Sequence, residues 1–388
     1  MRSVCTGPLR PITPMVLLIG NYAPDRQQSM LRFNNMMLEG LKAAGVDVEL
    51  VRPEPFFGKL RLGPLTKWLA YLDKYLVFPA HLKKRLALVR PSLVHILDHS
   101  NAVYTNAAKP CPVLVTCHDL LAVRGALGEE TDTPASATGR ILQRWILNGL
   151  QKANALVCVS QATCDDAGRL LKKSAPYPQT NVVTLGLNYP YRRLSADEAR
   201  ERLASFPQLD LAKPFVLHVG SALKRKNRHG VLRIFAHTKD QWNGQLVFAG
   251  DPMASEMYSL GKELGITERV VEIVCPESAV LEALYSLAIA LLFPSRYEGF
   301  GWPIAEAQAC GCPVICSDHP PMSEAAGDAG LLHDVNDEEG FARDLLRLTN
   351  GSEQARWSEK SLQASARFAP EKMIAQYIDI YRTLAPQL

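Results

Sequence analysis

Strong net charge is missing from this chain of 388 residues: 43 Lys and Arg stand against 39 Asp and Glu, leaving +4. So mild a balance gives no ground for a nucleic-acid-binding protein, and no nucleic acid is expected as a partner. Missing too is any apolar run of the roughly 18 residues that a membrane-spanning helix needs. The nine cysteines, scattered from Cys5 to Cys316, include no CxxC pair. Their closest group is Cys310, Cys312 and Cys316 in CGCPVIC. It lies in an apolar setting, without the spacing or fourth ligand of a zinc site, and reads as small buried residues at a helix end and in a strand. Free thiols suit a reducing compartment, so a cytoplasmic location is expected. The opening MRSVCTGPLRPITP has no apolar core of signal-peptide length, and residues 1–14 read as a loose tail. No Asp-x-Asp metal motif occurs either.

What is present is an ordinary globular composition, 47% hydrophobic and 21% charged, which excludes a wholly disordered or fibrous protein. The length favours two domains, large enough to bury cores without disulfides or metals. Short runs rich in Val, Leu and Ile punctuate the chain: MVLLIG (15–20), LVHIL (93–97), PVLVTC (112–117), ALVCVS (155–160), FVLHVG (215–220), QLVFAG (245–250), VVEIVC (270–275), ALLFPS (290–295) and CPVICS (312–317). Runs this short and continuous read as strands buried on both faces. Between them lie helical patterns such as MLRFNNMMLEGLKAAG (30–45), with Gly45 where a C-cap would fall. Alternating strand and helix implies parallel sheets.

The runs form two sets, separated by NYPYRRLSADEARERLASFPQLDLAKP (188–214), which is charged, carries proline and lacks a buried-strand signal. This stretch is expected to hold the interdomain connection and a solvated helix. The expected division is an N-terminal domain over 15–187, a connection over 188–213, a second domain over 214–369 and a terminal helix over 370–388. In open α/β sheets ligands bind beyond the carboxyl ends of the strands. The polar residues after the runs, such as His118 and Ser221, are therefore the first candidates.

The most informative stretch is PSRYEGFGWPIAEAQACGCPVICSD (294–318). A strand ends at Ser295, a loop carries Glu298, Gly299, Phe300 and Gly301, and Pro303 fits the start of a helix that Gly311 ends. Glycines let backbone N–H groups approach a ligand, and a helix N-terminus favours phosphate. Glu298 lies in the loop and Glu306 about one turn into the helix. Paired carboxylates of this kind accept hydrogen bonds from sugar and ribose hydroxyls. Two acids eight positions apart also arise by chance, so the frame of strand, EGFGxP, helix, second Glu and GCPV strand is what carries the signal.

On that frame the chain resembles the retaining glycosyltransferases of the GT-B fold, in particular family four, the group 1 glycosyltransferases that include bacterial mannosyl- and glucosyltransferases. The resemblance covers about residues 15–385 and is sharper in the C-terminal half. It implies an α/β architecture of two facing Rossmann-like, doubly wound domains with the C-terminal helix crossing back to the N-terminal domain. VGSALKRKNRHGVLRIFA (219–236) is similar to the family's basic loop, which places Lys226 on the donor diphosphate with Arg225 beside it; Ser221 stands where the family commonly has Arg. VLVTCHDL (113–120) resembles the strand whose His, here His118, faces the donor sugar. Gly20 is retained after the first strand, but Asp25, Gln28 and Ser29 take the place of a Gly-Gly loop. Glu324 falls where the family's loop usually reads Pro-Glu, with a ligand contact and a helix start both open to it.

The resemblance implies transfer of a hexose from a GDP- or UDP-sugar to an acceptor hydroxyl, with retention at the anomeric carbon. Expected catalytic residues are Glu298, His118 and Lys226. Expected donor contacts are Gly20, Ser221, Arg225, Lys226, Phe300, Gly301 and Glu306. Neither metal nor cofactor is expected, the nucleotide sugar being a substrate, and the acceptor is expected to be a glycan or a lipid-linked hydroxyl. Two other classes stay open: a nucleotide-sugar epimerase or hydrolase, which would turn over donor without acceptor, and a non-catalytic nucleotide-sugar binding module.

The mild +4 hides an uneven distribution. Residues 56–90 hold eight Lys and Arg against the single acid Asp73, a local +7 that leaves the remainder at −3. Within it LTKWLAYLDKYLVF (65–78) places Leu65, Trp68, Leu69, Leu72, Tyr75 and Leu76 on one helical face. The plain reading is an amphipathic helix packed on the sheet with solvated lysines. The sharper reading is peripheral contact with an anionic membrane, on the cytoplasmic face of the inner membrane.

Overall fold

In the computed structural model, residues 14–60, 63–171 and 177–388 are described. All but the last residue of the expected tail lies outside them. Among the described residues there are two six-stranded parallel sheets with helices between the strands. The first contains β1 (Val16–Ile19), β2 (Val48–Val51), β3 (Leu93–Ile96), β4 (Val113–Cys117), β5 (Ala155–Cys158) and β6 (Gln179–Val182), in the order β2-β1-β3-β4-β5-β6. The second contains β7 (Phe215–Gly220), β8 (Gln245–Gly250), β9 (Val270–Val274), β10 (Leu291–Phe293), β11 (Val314–Ser317) and β12 (Gly330–His333), in the order β12-β11-β10-β7-β8-β9. The second order is that of a Rossmann sheet, in which the chain leaves the centre first one way and then the other. Its switch point lies between β10 and β7; that of the first sheet lies between β1 and β3.

All nine apolar runs contain strands. Three further strands, β2, β6 and β12, are edges of their sheets and only partly buried, so each lacked the continuous apolar run of a central strand. The helix expected over 30–45 spans Gln28–Ala43, and Gly45 beyond its end takes a φ of +79°. The charged connection does carry a helix, Ala196–Leu203, but the helix is not simply solvated. Its Ala199 and Leu203 are buried in the core of the second domain, and Arg202 pairs with the buried Glu282 at 2.6 Å.

Each sheet is covered on both faces. One face of the first sheet is sealed by the helices Gln28–Ala43 and Pro370–Leu384, the latter having crossed back from the second domain. The close approach of these two helices leaves no room for a side chain at Gly40, where a Cβ would lie 2.7 Å from Ile374 Cδ1. The two chain crossings are bonded to each other, Leu187 N–H donating to the Phe368 carbonyl at 3.0 Å.

The returning helix is anchored by a buried polar cluster. His95, on β3, meets the Tyr381 hydroxyl at 2.7 Å through Nδ1 and the Thr116 hydroxyl at 2.8 Å through Nε2, and Thr116 also meets the Tyr377 hydroxyl at 2.9 Å. Burial, with a smaller contribution from His118, pushes the His95 pKa down to about 3, so the ring is neutral and both nitrogens are engaged. Tyr381→Phe leaves His95 Nδ1 buried without a partner. It should destabilise the protein by about 1–3 kcal/mol, seen as a lower denaturant midpoint at unchanged m-value.

Candidate active site

The carboxyl ends of both sheets face one cleft of about 410 Å³, within the usual range for small-ligand sites. Strand adjacency explains how distant residues meet there. β10 and β7 are neighbours at the switch point, so the loop after β10, carrying Glu298, comes against the loop after β7, carrying Arg225 and Lys226. Lys226 Nζ donates to one Glu298 oxygen at 2.6 Å and Arg225 Nη1 to the other at 2.7 Å. Arg225 also donates to the Tyr297 carbonyl at 2.9 Å, and its own carbonyl accepts from Arg296 N–H at 2.7 Å. Lys226 Nζ lies 4.9 Å from the Phe293 ring centroid, a cation–π contact with the last residue of β10.

Lys226 and Glu298 both sit below their ordinary pKa values, for different reasons. Burial depresses the Lys226 ammonium, and Glu298 opposes that effect. Burial alone would raise the Glu298 carboxyl, but Lys226 and Arg225 together outweigh it and keep it ionised. The cluster therefore holds two cations and one anion, with positive charge left over for an anionic ligand.

Beyond Glu298 the loop turns through Gly301, at φ +100°, into the helix Trp302–Ala309, with Pro303 in its first turn. Gly299 is required by contact: a Cβ there would lie 2.0 Å from the His118 carbonyl oxygen. Phe300 and Gly301 line the cleft at the helix N-terminus. Glu306, one turn further, is buried and accepts from the Tyr285 hydroxyl at 2.9 Å. Burial raises its pKa, and the Tyr285 bond and the charge of Arg32 only partly offset this.

His118 follows β4 on the opposite wall. Its Nε2 lies 3.0 Å from the Leu97 carbonyl, which can only accept, so Nε2 carries the proton and Nδ1 is the ring's acceptor. Burial lowers its pKa against the pull of Asp98, leaving a neutral imidazole beside the cleft. Ser221 lines the cleft just past β7.

Gly20 is the expected residue that the structure does not bring to the cleft lining. It is packed behind the wall, where a Cβ would meet Asn34 Nδ2 at 2.8 Å. Gln28, Ser29 and Arg32, at the start of the next helix, line the cleft instead. Arg32 had no signal in the sequence, being one cation in an ordinary amphipathic pattern. Asn188 and Tyr285 were likewise unannounced, because each acts through Glu306 from another element. Asp119 lines the cleft and accepts from Leu121 N–H at 3.1 Å, bracing its own loop.

Glu324 points away from the cleft. Its two oxygens accept from Gln161 N–H at 2.8 Å and Ala162 N–H at 2.9 Å, capping the helix Gln161–Leu171 of the other domain. Beside it Ser160 donates to the Gly299 carbonyl at 2.9 Å, and Trp302 Nε1 donates to the Gly186 carbonyl at 3.1 Å. The loop that carries Glu298 is thus seated on the N-terminal domain.

Comparison with known proteins agrees with this geometry. Residues 200–364 match the family model for glycosyl transferases group 1, and residues 32–176 match that for glycosyltransferase family 4. The chain is 28% identical over 254 residues to an O-antigen chain mannosyltransferase B of Escherichia coli, covering 63% of this chain. It spans just under two thirds of the curated relatives it matches, 65% in the case of that mannosyltransferase. Among solved structures it superposes on sucrose-phosphate synthase from Thermosynechococcus elongatus with a TM-score of 0.73 at 21% identity, covering 96% of this chain and 99% of that one. On Anabaena HepE in complex with UDP and glucose the TM-score is 0.71 at 15% identity, with coverage of 95% and 99%. These likenesses show the GT-B fold, with its two facing Rossmann-like domains and returning C-terminal helix. Matched by one family model in each domain, and built on that fold, the chain belongs to the group 1 glycosyltransferases of family four.

Proposed function

We propose that the protein is a retaining hexosyltransferase that moves a sugar from a nucleoside-diphosphate sugar to an acceptor hydroxyl in glycan, polysaccharide or glycolipid assembly. The observation that carries this reading is the convergence of Arg225, Lys226 and the Gly301 helix start on one side of the cleft, with Glu298 among them and His118 opposite. An excess of buried positive charge beside a helix N-terminus suits a diphosphate, and UDP with glucose occupies the solved HepE relative. The donor, GDP- or UDP-linked, is thus a substrate and no cofactor is needed.

In this reading Lys226, Arg225 and the helix start stabilise the departing diphosphate, and Ser221 adds a contact from the end of β7. Glu306 accepts hydrogen bonds from the ribose hydroxyls. Glu298 and the backbone of Phe300 and Gly301 hold the sugar, and His118 Nδ1 accepts from one of its hydroxyls. The bond from the anomeric carbon to the β-phosphate oxygen breaks as the acceptor oxygen bonds to the same face. The acceptor's proton passes to a phosphate oxygen of the leaving group. Catalysis rests on positioning and electrostatics rather than on a covalent nucleophile. The location read for it is cytoplasmic, with peripheral membrane contact through residues 56–90 and a glycan or lipid-linked acceptor.

Screening nucleotide sugars by thermal shift, followed by donor turnover with and without acceptor, tests the reading. Turnover in water alone at the full rate would instead make it a hydrolase or epimerase. Glu298→Gln should lower transfer by about 10²–10³-fold in a variant whose circular dichroism shows it folded. Its affinity for free UDP or GDP, read by calorimetry, should hold or rise because the two cations are no longer shared with a carboxylate. Undiminished transfer by this variant would overturn the site assignment.

The raised pKa of Glu306 sets a pH limb. Its protonated form accepts fewer hydrogen bonds, so KM for the donor should climb as pH falls, beginning above the range of an ordinary glutamate. Glu306→Gln should raise KM and flatten that limb in the pH profile. With Arg225 and Lys226 in the place of a cation, activity should survive EDTA unchanged. Loss on chelation with recovery on added Mg²⁺ or Mn²⁺ would contradict this.

A further inference from the structure

The apolar face read from residues 65–78 is not packed on the sheet. The segment forms the helix Thr66–Leu72, a π-helical turn Asp73–Val77 and the helix Phe78–Val89. Leu65, Trp68 and Leu76 are each more than half exposed, and Leu72 is exposed beside them. An aromatic ladder continues this face onto a second helix, Ala137–Gln151. Trp68 lies 5.8 Å from Tyr71, Tyr71 5.5 Å from Tyr75, and Tyr75 5.3 Å from Trp145, with Ile141 exposed one turn before it. Exposed apolar patches of this extent on a folded protein mark interaction sites.

Its net charge is positive, the pair of Lys74 with the part-exposed Asp25 beside it being neutral. Lys59, Lys67, Arg140 and Arg144 are exposed around it, and the helix Ala137–Gln151 contains no acid. The single acid of residues 56–90, Asp73, is buried. It accepts from the backbone N–H groups of Phe56, Phe57 and Gly58 at 3.1, 2.9 and 2.8 Å, and from the Tyr22 hydroxyl at 3.1 Å. Those bonds hold its carboxyl below the usual range against the opposing effect of burial.

We infer that this two-helix aromatic platform seats the protein on an anionic phospholipid bilayer. Trp and Tyr with a basic surround match the headgroup boundary, where each ring has an apolar body and a polar edge and the cations meet lipid phosphate. A second copy of the chain fits less well, because a two-fold contact through this face would oppose Lys67, Arg140 and Arg144 to their own images.

The platform is tied to the cleft. Asp73 holds Tyr22, and Lys74 pairs with Asp25 at 2.8 Å, so the turn is bonded to the loop after β1. That loop leads directly into the helix whose Gln28, Ser29 and Arg32 line the cleft. A seated platform therefore places this rim near the lipid headgroups. The surface stands independently of the transferase reading; its use, delivering a lipid-borne acceptor hydroxyl to the cleft, rests on that reading.

The test is co-sedimentation of the full chain with vesicles of phosphatidylcholine containing phosphatidylglycerol, at low and high salt, against phosphatidylcholine alone. Partitioning should need the anionic lipid and weaken with salt. The double variant Trp68→Ser, Trp145→Ser should partition at least about tenfold less, while the thermal shift given by UDP or GDP stays as in the wild type. Absence of partitioning at low salt, or wild-type partitioning by the double variant, would overturn the inference. So would a dimer in light scattering that the double variant converts to a monomer, since a second copy would then cover the face. Vesicle binding without turnover of any nucleotide sugar would uphold the surface and overturn the transferase reading.

Discussion

The cleft depends on one buried electrostatic cluster, Glu298 between Lys226 and Arg225. Isolated burial of any of these charges would be unfavourable by several kcal/mol. Together they satisfy one another, at 2.6 and 2.7 Å, inside a wall closed by Phe293. Because two cations share one carboxylate, the compensation is incomplete. The residual positive charge lies beside the N-terminus of the helix Trp302–Ala309, whose dipole has the same sign. In the proposed reaction an incoming diphosphate would complete the balance and compete with Glu298 for its partners, freeing Glu298 oxygens to accept from a sugar. On that proposal the carboxylate that pairs with the two cations and the carboxylate that holds the sugar are the same group at two stages.

That cluster can form only because of topology. Arg225 and Lys226 are more than seventy positions from Glu298, and the adjacency of β7 and β10 at the switch point brings their loops together. The glycines then follow from the contact. The loop must pass within reach of the His118 carbonyl, which excludes a side chain at Gly299, and must enter the helix through a left-handed residue, Gly301. Ser160 on the Gly299 carbonyl and Glu324 on the helix start at Gln161 extend the same contact across the domains. Contacts between domains of one chain are commonly weak and separable. Here they converge on the loop that carries Glu298, so any change in the angle between the domains changes the shape of the site itself.

The sheets were legible in the sequence where strands are buried on both faces, since Leu17 or Leu292 leaves no polar position to break the run. They were illegible at β2, β6 and β12, edge strands of four residues each that are only partly buried and so lack a continuous apolar run. The candidate site was legible where one loop and the helix it enters bring several groups to the cleft, as with Glu298, Phe300, Gly301 and Glu306. It was illegible where a group arrives alone from elsewhere. Arg32 and Asn188 reach the cleft through tertiary packing, and nothing local marks them. Gly20 shows the reverse error: a glycine retained at a strand end is required there by Asn34 behind it rather than by a ligand in front.

The exposed face on the N-terminal domain marks a further limit of periodicity. Apolar spacing establishes that Leu65, Trp68, Leu72 and Leu76 share a side, but it carries no information about what lies against that side. Charge counting has the same defect, for Asp73 enters the sum like any other acid although it contributes nothing to the surface. Its carboxylate is occupied by three backbone N–H groups and a phenol. The consequence is mechanical as well as electrostatic. Asp73 gives the loop at Phe56–Gly58, the π-helical turn and Tyr22 a common anchor, and the Lys74–Asp25 pair adds a second tie from the turn to the rim of the cleft. A single buried acid therefore keeps its own charge off the surface and helps to couple that surface to the site where the chemistry is proposed to occur.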